Sequence, residues 1–374
     1  MKTATLTFHG AHNYGSMLQA YALQKTIQSM GHENQIIHFR THRQIDMYAI
    51  FTRRKGMTYV LKNFAKLCYF PSYRRKHALF EEFISTNLNL TNCYSSLKEL
   101  EEANFDFDCY IAGSDQIWNP IPADFDWAYY LPFVHGEKKI AYAPSFGPFL
   151  AMGDERILHR IKENLETFDC ITVRDGGAVE KLRQMMGIEA EAVLDPTCLL
   201  TIEEWKQLLP SKRVYDGDYI FFYTLFADKE MIRMVKCVSR MLGLPVVVSN
   251  FSNQYDVINP FKKCYSSGPI EFLDLIYHAK FVVTSSFHGT VFSILFHKNF
   301  LSLRGDKDAR IFSLLNDLGL VGRTICDVEE LKKKDLSDID FNRVEVLLEQ
   351  LSQRSKIILR EMIETGGENN GINL

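Results

Sequence analysis

The chain is predicted to be an α/β protein with two Rossmann-like, doubly wound and mostly parallel sheets, on three observations. Short apolar, β-branched runs alternate with longer segments of helical apolar spacing through both halves. Several of these runs end in Gly, Ser or Asn clusters that open a helix. The length of 374 residues also exceeds the roughly 250–300 residues that one core supports. Ligands are then expected between the domains, at the carboxyl ends of both sets of strands.

Taken in order, Thr3–Phe8 is the first strand, and His9-Gly-Ala-His-Asn-Tyr-Gly15 is the loop that follows. A helical stripe through Met17, Ala20, Leu23, Ile27 and Met30 closes at Gly31, and Gln35–Phe39 is the next strand. The loop lacks Gly-x-Gly-x-x-Gly, so no nicotinamide cofactor is expected. Asn13 and Gly15 in it are candidate substrate contacts. His9 and His12 have no further ligand at metal spacing, so no metal is expected.

From Met47 to Phe80 the chain has no acidic residue and interleaves Arg and Lys with aromatic and aliphatic side chains. Such a segment fits a peripheral contact with an anionic membrane surface, and equally an ordinary solvated helix. Phe105–Gly113 is the next strand. Asp106 and Asp108 stand at its start, whereas Asp115 follows its end and faces the ligand edge. Ile140–Ala143 and Cys170–Val173 repeat the strand-then-loop theme. Arg174, just past the second, is able to grip phosphate or carboxylate, or to pair with Asp175. Ala192–Leu194 leads to Asp195-Pro-Thr197.

Thr201-x-x-Glu204 is a capping box, and the polar stretch Pro210–Gly217 separates the halves. The boundaries read as 1–205 and 206–340, with 341–374 a terminal helix that packs back on the first domain and then frays. In the second half Asp218–Tyr223, Pro245–Val248, Phe281–Val283 and Phe300–Leu303 are strands, with helices at about 228–242, 271–277 and 308–318. The most informative stretch is Lys280–Phe296: a strand, a turn with Ser285, Ser286, His288 and Gly289, and a helix from Thr290 onward. An ionisable imidazole beside a helix start suggests proton transfer on a phosphorylated or carboxylated substrate. The plainer alternative is a histidine bonded to a neighbour and serines that cap the helix.

Apolar content of 46%, 24% charged residues and a net charge of -3 describe an ordinary globular chain without the basic face nucleic acid requires. No leader is expected ahead of the first strand, and no run approaches the ~18 apolar residues that span a bilayer. The eight cysteines form no Cys-x-x-Cys pair, which fits a reducing compartment. A cytoplasmic location is expected, peripheral to the inner membrane face if 47–80 docks there.

Six short motifs occur together: Thr7-Phe-His-Gly-Ala-His-Asn-Tyr-Gly-Ser-Met-Leu-Gln19, Gly113-Ser-Asp-Gln-Ile-Trp118, Ser145-Phe-Gly147, Val173-Arg-Asp175, Leu194-Asp-Pro-Thr197 and Thr284-Ser-Ser-Phe-His-Gly-Thr290. In this order they make the chain resemble the polysaccharide pyruvyl transferase family. The resemblance implies a fold like the GT-B glycosyltransferases, two Rossmann-like domains facing a cleft. It implies transfer of a pyruvyl group from phosphoenolpyruvate to two hydroxyls of a sugar or lipid-linked glycan, giving a cyclic ketal and phosphate in capsule or exopolysaccharide synthesis. Phosphoenolpyruvate is then a substrate and no cofactor is needed. By the same resemblance His288 is the acid/base, Arg174 binds phosphoenolpyruvate, and Lys307 matches a further donor-binding lysine, with Arg304 and Arg310 as close competitors. Two rival readings are a glycosyltransferase using a nucleotide sugar and a non-catalytic glycan-assembly component.

Overall fold

The computed structural model describes residues 1–51, 67, 69–249, 259–334 and 336–365. Its first sheet holds β1 (Lys2–Leu6), β2 (Glu33–Phe39), β3 (Leu90–Tyr94), β4 (Cys109–Ala112), β5 (Lys138–Ala141), β6 (Cys170–Val173) and β7 (Glu191–Ala192). They lie in the order β3-β2-β1-β4-β5-β6-β7, every pairing parallel. The second sheet holds β8 (Ile220–Tyr223), β9 (Val246–Val248), β10 (Lys262–Lys263), β11 (Phe281–Thr284), β12 (Asn299–Leu303) and β13 (Thr324–Ile325), ordered β10-β9-β8-β11-β12-β13 and again parallel. In both sheets the chain winds outward from a central strand in one direction and then in the other. The reversals fall between β1 and β4 and between β8 and β11.

Alternation along the strands explains why helices cover both faces. In β4, Tyr110 and Ala112 join one buried cluster with Leu6 and Val173, while Cys109 and Ile111 join another with Leu23, Ile27 and Ile140. The second cluster also takes Ile358, Leu359, Met362 and Ile363 from the helix Phe341–Glu364, whose Ser355 hydroxyl accepts a hydrogen bond from the Leu194 N–H at 3.1 Å. Each such aliphatic side chain contributes about 1.5–3 kcal/mol on burial, which secures this helix on the first sheet.

The chain forms two compact units, Met1–Ala49 with Ile84–Leu199 and Glu349–Leu374, and Ile50–Phe83 with Leu200–Leu348. They are not the continuous segments read from the sequence, because 50–83 belongs with the second unit. A close approach that no local pattern announces accounts for this: a Cβ on Gly268 would lie 2.5 Å from Leu79 Cβ, and the Tyr69 and Tyr265 rings meet edge to face at 6.0 Å. The edge strands β3, β10 and β13 were not anticipated, because they are short or polar and carry no apolar run. Within 47–80, residues 52–66 and 68 lie outside the described residues. The helix Phe70–Asn87 carries Arg74 and Arg75 exposed, but Lys76 is half-buried and burial pushes its ammonium down to about 7. Among the described residues no helix is long and apolar enough to cross a membrane.

Candidate active site

In the first unit the loops after β1, β4 and β6 are tied together by side chains. Gln19 donates to the Thr7 hydroxyl at 2.8 Å, Thr7 donates to the Ser114 carbonyl at 3.0 Å, and the Ser114 N–H returns to Gln19 Oε1 at 3.2 Å. Asn13 caps the helix Tyr14–Ser29 by accepting from the Gly15 N–H at 3.0 Å, and Ser16 in its first turn donates to Asp115 Oδ2. Gly113 is required by space as well as by its φ of 139°, since a Cβ there would lie 2.0 Å from the Tyr142 carbonyl oxygen. Asp115 follows in the left-handed region at φ 74°, a strain of about 1–3 kcal/mol that the surrounding bonds hold in place.

Arg174 is sealed into this network. Its side chain is 1% exposed, its Nη1 lies 3.2 Å from Asp195 Oδ2, and its Nη2 lies 3.6 Å from Asp115 Oδ1. Nη2 also donates to the Ser114 hydroxyl at 3.0 Å, which itself donates to the Ala143 carbonyl at 2.7 Å. Asp175, next in sequence, caps the helix Gly176–Met186 by accepting from the Ala178 N–H at 2.9 Å. Two carboxylates therefore face one guanidinium. His9 is fully buried, with Nδ1 3.1 Å from the Thr7 carbonyl and Nε2 2.9 Å from His38 Nδ1 on β2.

In the second unit Thr284 donates to the Tyr223 carbonyl at 2.7 Å and accepts from the Ser286 N–H at 3.0 Å, which fixes the turn after β11. Ser286 caps the helix Phe287–Leu295 through the Gly289 N–H at 3.4 Å. The helix thus starts three residues earlier than the Thr290 read from the sequence, and His288 lies in its first turn instead of the loop before it. Gly289 sits inside that turn because a Cβ would fall 2.3 Å from Thr284 Oγ1. Its glycine lets the helix start press against β11, leaving first-turn N–H groups at the carboxyl edge of the sheet.

The loop after the neighbouring β12 supplies the cations. Arg304 donates to Asp228 Oδ2 at 2.6 Å, and Arg310 forks onto Asp308 at 3.0 and 2.6 Å while lying 5.4 Å from the Phe287 ring centroid. Burial pushes the Asp228 carboxyl up, but bonds from the Met231 N–H and from Arg304 outweigh it and hold it below the usual carboxylate range. Lys307 is exposed and makes no side-chain hydrogen bond or ion pair among the described residues.

The structure therefore brings Asn13, Gly15, Asp115 and Arg174 to one carboxyl edge and Ser286, His288, Gly289, Arg304, Lys307 and Arg310 to the other. Sequence reading did not single out Ser114, Asp195, Thr224 or Asp228 as site residues. Ser114 and Asp195 had a usable signal, each inside one of the short motifs; Thr224 and Asp228 owe their place here to partners far along the chain, Ser285 and Arg304.

Solved structures with the same fold include UDP-GlcNAc 2-epimerase from Methanocaldococcus jannaschii in complex with UDP-GlcNAc and UDP (TM-score 0.51, 14% identity, covering 96% of this chain and 99% of that one). Another is S. aureus MnaA with UDP (TM-score 0.52, 12% identity, 94% and 91% covered). A third is UDP-N-acetylglucosamine 2-epimerase from Rickettsia bellii (TM-score 0.50, 8% identity, 97% and 98% covered). These likenesses show the fold, which is of the GT-B class. No curated protein matches the chain. The model of the polysaccharide pyruvyl transferase family matches residues 13–307, well over half of the sequence, and the chain is a transferase that belongs to that family.

Proposed function

We propose that the protein transfers the pyruvyl group of phosphoenolpyruvate to two hydroxyls of a sugar, forming a ketal and releasing phosphate. Family membership supports the reaction type. The observation that carries the donor assignment is the carboxyl edge of the second sheet, where exposed Lys307 accompanies the helix start that bears His288. Phosphoenolpyruvate carries a phosphate and a carboxylate, and a helix start with a nearby ammonium suits both anions.

Proton transfer from His288 to the methylene carbon leaves cationic character at C2, where one sugar hydroxyl attacks and returns its proton to His288. Departure of phosphate with the C2–O bonding pair restores the cation, and the second hydroxyl closes the ketal, its proton leaving with the phosphate. Lys307 and the start of the helix that bears His288 hold the anions through these steps. Arg174, enclosed by Asp195 and Asp115, serves in this reading as a positioning residue for the first unit's loops. Asn13, Gly15 and Asp115 lie on those loops and are substrate contacts in this reading.

The acceptor is a glycan precursor of a capsule or exopolysaccharide, and the acid-free stretch 47–80 supports a lipid-linked one at the inner membrane face. Salt-sensitive sedimentation with anionic vesicles is the expected result; no binding removes the membrane contact. The donor is tested by thermal shift with phosphoenolpyruvate beside UDP and GDP sugars. Saturating donor should stabilise the fold by about 2.7 kcal/mol at a hundred times its dissociation constant. Stabilisation by a nucleotide sugar alone would replace this reading with a glycosyltransferase.

A further inference from the structure

Phe226 lies on the loop that leaves β8, and it is 81% exposed, with Leu225 beside it 46% exposed. The loop is nevertheless fixed. The Thr224 hydroxyl donates to the Phe226 carbonyl at 3.0 Å and accepts from the Phe226 N–H at 3.3 Å. Because its one proton is used there, the 2.6 Å contact with Ser285 has the Ser285 hydroxyl as donor. Two residues on, Asp228 caps the helix Lys229–Leu242 by accepting from the Met231 N–H at 2.9 Å, and it holds Arg304. The phenyl ring thus stands on a backbone bonded on one side to the turn before His288 and on the other to Arg304. It does so where β8 and β11 wind apart, the point at which doubly wound sheets take ligands.

Resting on the reading above, we propose that Phe226 is the platform on which the acceptor's pyranose ring stacks. The apolar C–H face of the sugar lies on the phenyl ring, and its hydroxyl edge meets Ser285, Asp228 and Arg304. Phosphoenolpyruvate is small and dianionic and gains nothing from a phenyl face, so the ring is suited to the acceptor and not to the donor. A lipid chain would call for a broad apolar surface, whereas the groups bonded to this loop are hydroxyls and an ion pair. An aromatic ring beside a few fixed polar groups is the composition that orients a polyhydroxylated ring.

The test is saturation-transfer NMR on the full chain with methyl galacto-, gluco- and mannopyranosides and their N-acetyl forms, followed by phosphate-release assays with phosphoenolpyruvate. At least one glycoside should bind the wild type. Phe226→Ala should weaken it about tenfold, Phe226→Trp should retain it, and the thermal shift with phosphoenolpyruvate should stay unchanged in both. Absence of glycoside binding, equal binding by Phe226→Ala, or loss of the phosphoenolpyruvate shift in that variant each overturns the proposal. Phe226-dependent binding without phosphate release would instead remove the donor assignment and leave this inference standing.

Discussion

The two carboxyl edges answer the same problem differently. At the first, Arg174 is buried between Asp195 and Asp115 and bonded to Ser114. At the second, Arg304 and Arg310 have carboxylate partners, but Lys307 is left in solvent near a helix start that bears His288. Position at a strand end therefore does not by itself tell an enclosed cation from an accessible one. Burial does, because an anion arriving at Arg174 meets a side chain 1% exposed and already held by Asp195 and Asp115, while at Lys307 it meets an exposed ammonium.

The comparison breaks most severely at Gly113. Gly113→Ala forces a Cβ to 2.0 Å from the Tyr142 carbonyl at a φ only glycine adopts readily, so we expect loss of folded protein, read as absent near-UV circular dichroism. Normal spectra would show that the first edge is softer than its bonds imply. Next comes Asp195→Ala, which strips a buried guanidinium of one partner. A loss of about 3–5 kcal/mol is expected, measured by denaturant unfolding, and a loss below ~1 kcal/mol would mean that the pair is solvated.

At the second edge the expected effects fall on turnover and not on stability. His288→Ala should lower turnover by about 10²–10⁴, measured by phosphate release on the folded variant. Retained turnover would remove His288 from proton transfer. Lys307→Ala should raise the KM for phosphoenolpyruvate roughly tenfold to a hundredfold, as expected for one charge-assisted bond, again with the fold intact. Arg174→Ala sharpens the contrast. It should destabilise the chain, and a variant of native stability with weakened phosphoenolpyruvate binding would move the anion site to the first edge.

Much of the fold was legible because its signals are local. The apolar runs that became β1, β6, β8, β11 and β12 stand out within a few residues, and Thr201 forms with Glu204 the capping box its spacing predicts. The start of the helix at Phe287 was misplaced because Gly289 reads as a helix breaker. Only contact with Thr284 on β11 turns its missing side chain into an advantage. The strands β3 and β10 escaped notice since polar edge strands owe their pairing to a neighbour already in place.

By itself the sequence determined the alternation of strands and helices, the caps, and the six motifs that identify the family, since periodicity and capping depend on residues one to four positions apart. Tertiary structure alone decided which charges are neutralised and which rings stay in water. Ser16 reaches Asp115 across 99 residues and Arg304 reaches Asp228 across 76, and such pairs form only after parallel winding has set the strand ends side by side. Nothing in the neighbours of Lys307 or Phe226 along the chain marks them as exposed, because exposure is a property of the surface the finished fold leaves uncovered.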